Sequence, residues 1–150
     1  MLRMSKMTDY GTLILARLSA SGRLETATEL AQGSGIALPT VSKVLKALAR
    51  ADLISSVRGA TGGYRLTRNP KNISAAAILD ALEGPVALTE CSAQKNSCRL
   101  EAICTVGHAW QRVNLAIRRS LEEISLLDLQ DAERIDKSIR IVKTRPDAHA

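Results

Sequence analysis

Apolar residues fall into short periodic blocks divided by glycine, serine and proline, and most blocks repeat at the helical spacing of three and four. In residues 8–20, TDYGTLILARLSA, Tyr10, Leu13, Ile14 and Leu18 share one stripe, with Thr8 and Asp9 as candidate caps. Ser21 and Gly22 end this first helix. Thr26, followed three residues later by Glu29, is a capping-box signature for a second helix running to about Gln32. After the turn Gly33-Ser34-Gly35, Pro39 suits the first position of a third helix, which runs to about Ala51 and buries Val41, Val44, Leu45 and Leu48.

The period then changes. Residues 53–67, LISSVRGATGGYRLT, predict two short strands, Ile54 to Val57 and Tyr64 to Thr67, around the glycine-rich tip RGATGG. Pro70 closes this hairpin, and residues 74–83 give a short helix capped by Ser74 and stopped by Gly84-Pro85. Further on, residues 105–124 carry Val106, Trp110, Val113, Ile117, Leu121 and Ile124 at steps of 4, 3, 4, 4 and 3, a heptad seam. Leu127, Leu129, Ile135, Ile139 and Val142 suggest one more short helix before the polar tail RPDAHA. The expected fold is mainly α: a winged helix-turn-helix with a small β-hairpin wing and a long C-terminal dimerisation helix. Its expected divisions are a winged domain at 1–84, a cysteine loop at 85–104, the dimerisation helix and C-terminal helix at 105–144, and a tail at 145–150.

Within the two central helices, Ala31, Gly35 and Val41 have the spacing of a helix-turn-helix. A small Ala31 lets the helices approach, Gly35 can take a positive φ at the turn, and Val41 fills the gap between them. The opposite face of the third helix presents Thr40, Ser42, Lys43, Lys46 and Arg50, which suits a major groove; the competing reading is a hairpin with a solvated cationic face. In the wing, Arg58, Gly59, Thr61 and Arg65 suit a phosphate backbone or a narrow minor groove. A P-loop fits poorly, because no Lys-Ser or Lys-Thr follows the glycines.

Charge sharpens this picture. Of the net +6, residues 1–70 supply the whole excess, with 10 Lys and Arg against 4 Asp and Glu, while residues 71–150 carry 11 of each sign. A local positive field attracts a polyanion, either nucleic acid or an anionic membrane surface. Only 2% of residues are aromatic and none is Phe, so a base-stacking platform for single strands is excluded. No stretch approaches the roughly 18 apolar residues of a membrane span, and no leader pattern precedes a cleavage site, so a cytoplasmic location is expected. With two histidines and no nucleophile elbow, dinucleotide fingerprint or zinc-protease motif, an enzyme is not expected.

All three cysteines, Cys91, Cys98 and Cys104, lie within fourteen residues. In a reducing compartment an odd-numbered cluster points to metal ligation or redox chemistry rather than a disulfide framework. Thiolates are soft ligands that favour iron–sulfur clusters, Cu(I) or zinc. Two side chains compete as fourth ligand. His108 is close by covalent constraint, four residues after Cys104, whereas Asp9 can reach the loop if the first helix of one subunit packs against its partner. Two cluster-free alternatives stay open: a regulator whose thiols sense oxidants or nitric oxide directly, and a zinc-stabilised winged-helix interaction module.

Together, the opening MLRMSKMTDYG, the run PTVSKVLKALARADLISSVRGATGGYRL and the three cysteines before a long helix resemble the bacterial Rrf2-type winged-helix regulators, over Met1 to about Leu129. The resemblance implies a homodimer binding a palindromic promoter site in double-stranded DNA. Control would come from an iron–sulfur cluster, 2Fe-2S or 4Fe-4S, held by Cys91, Cys98 and Cys104. Relatives with a histidine ligand carry it three residues after the last cysteine, not four as for His108, and the first two cysteines here are one residue further apart than usual. The context KMTDYG is similar to members in which an aspartate of the first helix reaches the cluster across the dimer, which favours Asp9. The opening MLRMSKMTDY looks most like repressors encoded with the SUF system for cluster assembly.

Overall fold

A computed structural model describes residues 4–88 and 105–131 of the chain. Helix α1 (Lys6–Ser21) precedes α2 (Ala27–Ser34) and α3 (Leu38–Arg50), and strands β1 (Ile54–Val57) and β2 (Gly63–Leu66) form an antiparallel hairpin. A 3-10 turn at Pro70–Asn72 leads into α4 (Ala75–Leu82), and after the cysteine segment come α5 (Gly107–Glu123) and α6 (Leu126–Gln130). The order is that of a winged helix, as the periodicity predicts.

Local chemistry sets most boundaries. Thr26 and Glu29 form a complete capping box at α2, Ser74 caps α4, and Gly35 ends α2 at φ 71 with its N–H on the Ala31 carbonyl at 2.9 Å. The first helix begins earlier than Thr8 and Asp9 suggest. Ser5 is its cap, accepting the Met7 N–H at 3.2 Å, which leaves Thr8 buried inside the helix and bonded through its hydroxyl to Glu83. Leu13, expected in the packed stripe, is 48% exposed because the core draws on Ile14, Leu15 and Leu18 instead.

Val41, Val44, Leu45 and Leu48 of α3 pack with Ile14, Leu15, Leu30, Leu53 and Ile54 into one aliphatic core. Residues 124–130 are tied back into it. Leu126 of α6 is fully buried in this same core, its N–H donating to the Ile73 carbonyl at 2.7 Å, while Ala75 N–H donates to Ile124 at 2.8 Å. Gln130 reaches α1 as well, its Nε2 donating to the Ala16 carbonyl at 2.8 Å. Helix α5 is held to α4 by Arg118, which grips both Asp80 oxygens at 3.1 and 2.7 Å and also meets Glu122 at 3.0 Å. The Asp80 carboxylate, first by hydrogen bonding, raises the guanidinium pKa above its ordinary value.

The heptad seam is only partly used within the chain. Ile117 and Leu121 lie against Leu79 of α4 along a shared groove, but Trp110 and Val113 remain 48% and 43% exposed, and Val106 and Ile124 are also open. The other candidates for a C-terminal helix, Ile135, Ile139 and Val142, fall outside the described residues.

Candidate nucleic-acid interface and metal ligands

The polar side of α3 is built by default from the burial of its other side. With Val41, Val44, Leu45 and Leu48 facing the core, Ser42, Lys43, Lys46 and Arg50 project into solvent and Thr40 is half-buried at the first turn. From α3 the chain turns sharply. Asp52 adopts a left-handed φ of 54, and its carbonyl accepts the Thr67 hydroxyl at 2.6 Å and the Arg68 guanidinium at 3.1 Å, so both legs of the wing are fastened where it leaves the helix.

At the tip, the glycines have a steric reason. A Cβ on Gly62 would sit 2.3 Å from the Val57 carbonyl oxygen, and the Gly62 N–H closes the tip onto Gly59 at 3.0 Å. Arg58, Gly59, Thr61 and Arg65 are all exposed around this tip. Arg17, Arg23, Arg68 and Arg118 are paired with carboxylates, whereas Lys43, Lys46, Arg50, Arg58 and Arg65 have no acidic partner among the described residues, as is also the case for Lys6, Lys71, Arg112 and Arg119 elsewhere. Charges left unpaired on one helix face and its adjoining wing are free to neutralise phosphates, each contact releasing condensed counterions.

Cys91, Cys98 and Cys104 lie outside the described residues; Asp9 and His108 lie within them. Among the described residues no three His, Cys, Asp or Glu side chains gather at one point. Asp9 is exposed on α1, at a groove of about 460 Å³ that also touches Leu121 and Ile124 near the end of α5. His108 is exposed in the first turn of α5, thirteen residues before Leu121, or roughly 20 Å along the axis at about 1.5 Å per residue. Within one chain, therefore, the two candidate fourth ligands are far apart.

Two polar residues absent from the sequence-level candidates are conspicuous. Glu25 is 1% exposed and paired to Arg17 at 2.7 Å, and Asn114, buried on α5, accepts the Leu88 N–H at 3.2 Å just before the cysteine segment. A charged residue between two helices gives no periodic signal, so nothing in the sequence singles out Glu25; the approach of Arg17 to Gly33 is visible only in three dimensions.

A recognition helix followed by a fastened, glycine-tipped hairpin with uncommitted cations defines a winged-helix DNA-binding protein. Residues 4–132 match the Rrf2 family, described as "Iron-dependent Transcriptional regulator". The chain belongs to that family, whose transcriptional regulators bind DNA and are not enzymes. It is 27% identical over 144 residues to the HTH-type transcriptional regulator NsrR of Bacillus subtilis, covering 93% of this chain and 99% of that one. Among solved structures, CymR, the global cysteine regulator of B. subtilis, superposes with a TM-score of 0.66 at 27% identity, over 87% of this chain and 97% of that one. IscR of T. potens gives 0.63 at 26% identity over 85% of each chain. Among the described residues no helix is long and apolar enough to cross a membrane.

Proposed function

We propose that the protein is a homodimeric repressor of iron–sulfur cluster assembly genes, of the SUF type, whose affinity for a palindromic operator depends on a cluster at Cys91, Cys98 and Cys104. What carries the reading is the combination of an uncommitted cationic α3 and wing with three thiolates that lead directly into α5. Lys43, Lys46, Arg58 and Arg65 contact phosphates, Thr40 and Ser42 face base edges, and Gly59 and Thr61 let the wing backbone approach the duplex.

The donor set fits a cluster: soft thiolates close in sequence, completed by a carboxylate or imidazole. When bound, it supplies a redox- and nitric-oxide-sensitive centre. Asp9 of the partner subunit is the preferred fourth ligand. The support is its exposure on α1 and the roughly 20 Å that divide its groove from His108 along α5. The open seam of Trp110 and Val113 supports assembly through α5, which would set one chain's first helix beside the other's cysteine segment. Asn114 holds Leu88, just before the cysteine segment, to α5, and the Arg118–Asp80 pair holds α5 to α4, a route by which a rearrangement at the cysteines would reach the winged domain.

Iron, sulfide and zinc content with a visible spectrum, on protein purified without oxygen, tests the cofactor. Iron and sulfide that vanish in Cys98→Ala and fall in Asp9→Ala are expected. Stoichiometric zinc would overturn the cluster in favour of a structural metal. A second reading is favoured by the likeness to a cysteine regulator: a metal-free protein whose thiols respond directly, recognised by reversible thiol titration without iron.

A further inference from the structure

We infer that the Arg17–Glu25 ion pair is a positioning device for DNA binding, holding the wing at a fixed offset from the α2–α3 reading unit. The inference rests on the wing being part of the DNA interface.

Glu25 sits at a three-way joint. Its backbone pairs with the wing, Glu25 N–H donating to the Tyr64 carbonyl at 3.2 Å and Tyr64 N–H donating back at 2.8 Å. The next residue, Thr26, opens the capping box of α2, so any displacement of Glu25 moves both the wing and the helix before the recognition helix. Its side chain points the other way into the interior and meets Arg17 of α1.

The surroundings are shaped for this contact. A Cβ on Gly33 would lie 1.9 Å from an Arg17 guanidinium nitrogen, so a side chain there would displace the tip of the arginine. A Cβ on Gly63 would lie 2.8 Å from the Glu25 carbonyl, so the wing reaches the joint only through a glycine. A hairpin of two four-residue strands has little stability of its own, and its direction must come from what it is fastened to. One fastening is Asp52 at the base. The other is Glu25, whose carboxylate is buried and therefore needs its cation.

The test uses duplex DNA selected from a random library by the full-length wild-type protein. Binding isotherms at several salt concentrations are measured for Glu25→Gln, Arg17→Lys, Gly63→Ala, Arg58→Ala and the double variant Glu25→Gln/Arg58→Ala. We expect Glu25→Gln and Gly63→Ala to lose about tenfold in affinity, with the salt slope falling by about two as the Arg58 and Arg65 phosphate contacts are lost. Arg17→Lys, which keeps the charge, should recover most of the affinity. The decisive readout is coupling. In the Glu25→Gln background the wing no longer reaches the duplex, so Arg58→Ala should cost little more, whereas a merely destabilised protein would show additive losses. Additive losses, or an unchanged isotherm in folded Glu25→Gln, would overturn the inference. If Glu25→Gln fails to fold, Arg17→Gln combined with Arg58→Ala measures the same coupling: non-additive losses support the positioning role and additive losses overturn it. A wild-type protein that selects no duplex would instead count against the DNA-binding assignment itself.

Discussion

Truncating Leu126 to alanine should destabilise the winged domain from a distance in sequence. Leu126 follows the long α5, yet it is fully buried among Ile73, Ile78 and the α1–α3 aliphatics, and its backbone is bonded to Ile73. Removing a leucine side chain from such a site costs about 2–5 kcal/mol, from lost transfer energy plus the residual cavity. The upper half of that range is favoured, since the short α6 is pinned by Gln130 and the Ile124 and Ser125 backbone and cannot easily collapse into the void. At roughly 2–4 °C per kcal/mol for a chain of this size, a loss of about 3.5–5 kcal/mol should lower the melting temperature by about 7–20 °C. Urea unfolding at fixed protein concentration measures it, with Leu129→Ala as control, because Leu129 is 46% exposed and should change stability by less than about 1 kcal/mol. A Leu126→Ala protein within about 0.5 kcal/mol of wild type would refute the idea that the C-terminal segment completes the winged core.

Other outcomes follow from the same contacts. Lys43→Ala and Arg58→Ala should each weaken operator binding and reduce the salt slope by about one while leaving the circular dichroism unchanged, as titrations over a salt series would show. Trp110→Asp or Val113→Asp should raise the dimer dissociation constant about 30-fold or more, seen by sedimentation velocity, since a buried aromatic anchor is worth about 2 kcal/mol or more. Acid stability should reflect two carboxylates. Glu29 is held at about 2, first by the Thr26 N–H, then by its hydroxyl and Arg23, and Glu83 is lowered chiefly by the Thr8 hydroxyl and then by the Ser5 N–H. Both are depressed in the folded state, so their stabilisation is present above the ordinary value of 4.5 and lost as pH falls below it, for Glu29 towards about 2. Thermal melts across that window should show a shallower decline for Glu29→Gln than for wild type.

Much of the architecture was legible because it is encoded locally. Thr26 with Glu29, Ser74, Gly35 and the glycines of the wing each place a boundary within a residue or two, and the α3 stripe separates the buried face from the exposed one. The start of α1 was less legible, since Thr8 and Asp9 are as good a cap as Ser5 in sequence, and in the fold it is Ser5 that accepts the Met7 N–H while Thr8 turns inward to Glu83. Leu126 could not be assigned to the core, because five residues after a long helix carry no periodicity that names a partner. The Arg17–Glu25 pair was hidden for a similar reason: long-range contacts between charges leave no pattern along the chain. The candidate DNA residues are side chains on elements that local rules fix, which is why their exposure follows directly from the burial pattern. The proposed metal ligands are Cys91, Cys98 and Cys104, which lie outside the described residues, with Asp9 or His108, which are far apart in one chain, so no local rule brings them together.

The coupling of cluster to operator is tested most directly by one titration. Anaerobically purified protein, before and after removal of its iron and sulfide, is titrated against the same selected duplex at one salt concentration. A cluster that controls repression must favour one arrangement of the dimer, so the two isotherms should differ by at least about tenfold, or about 1.4 kcal/mol. Superimposable isotherms from two folded, dimeric samples would contradict cluster control and leave a winged-helix DNA-binding protein regulated by other means.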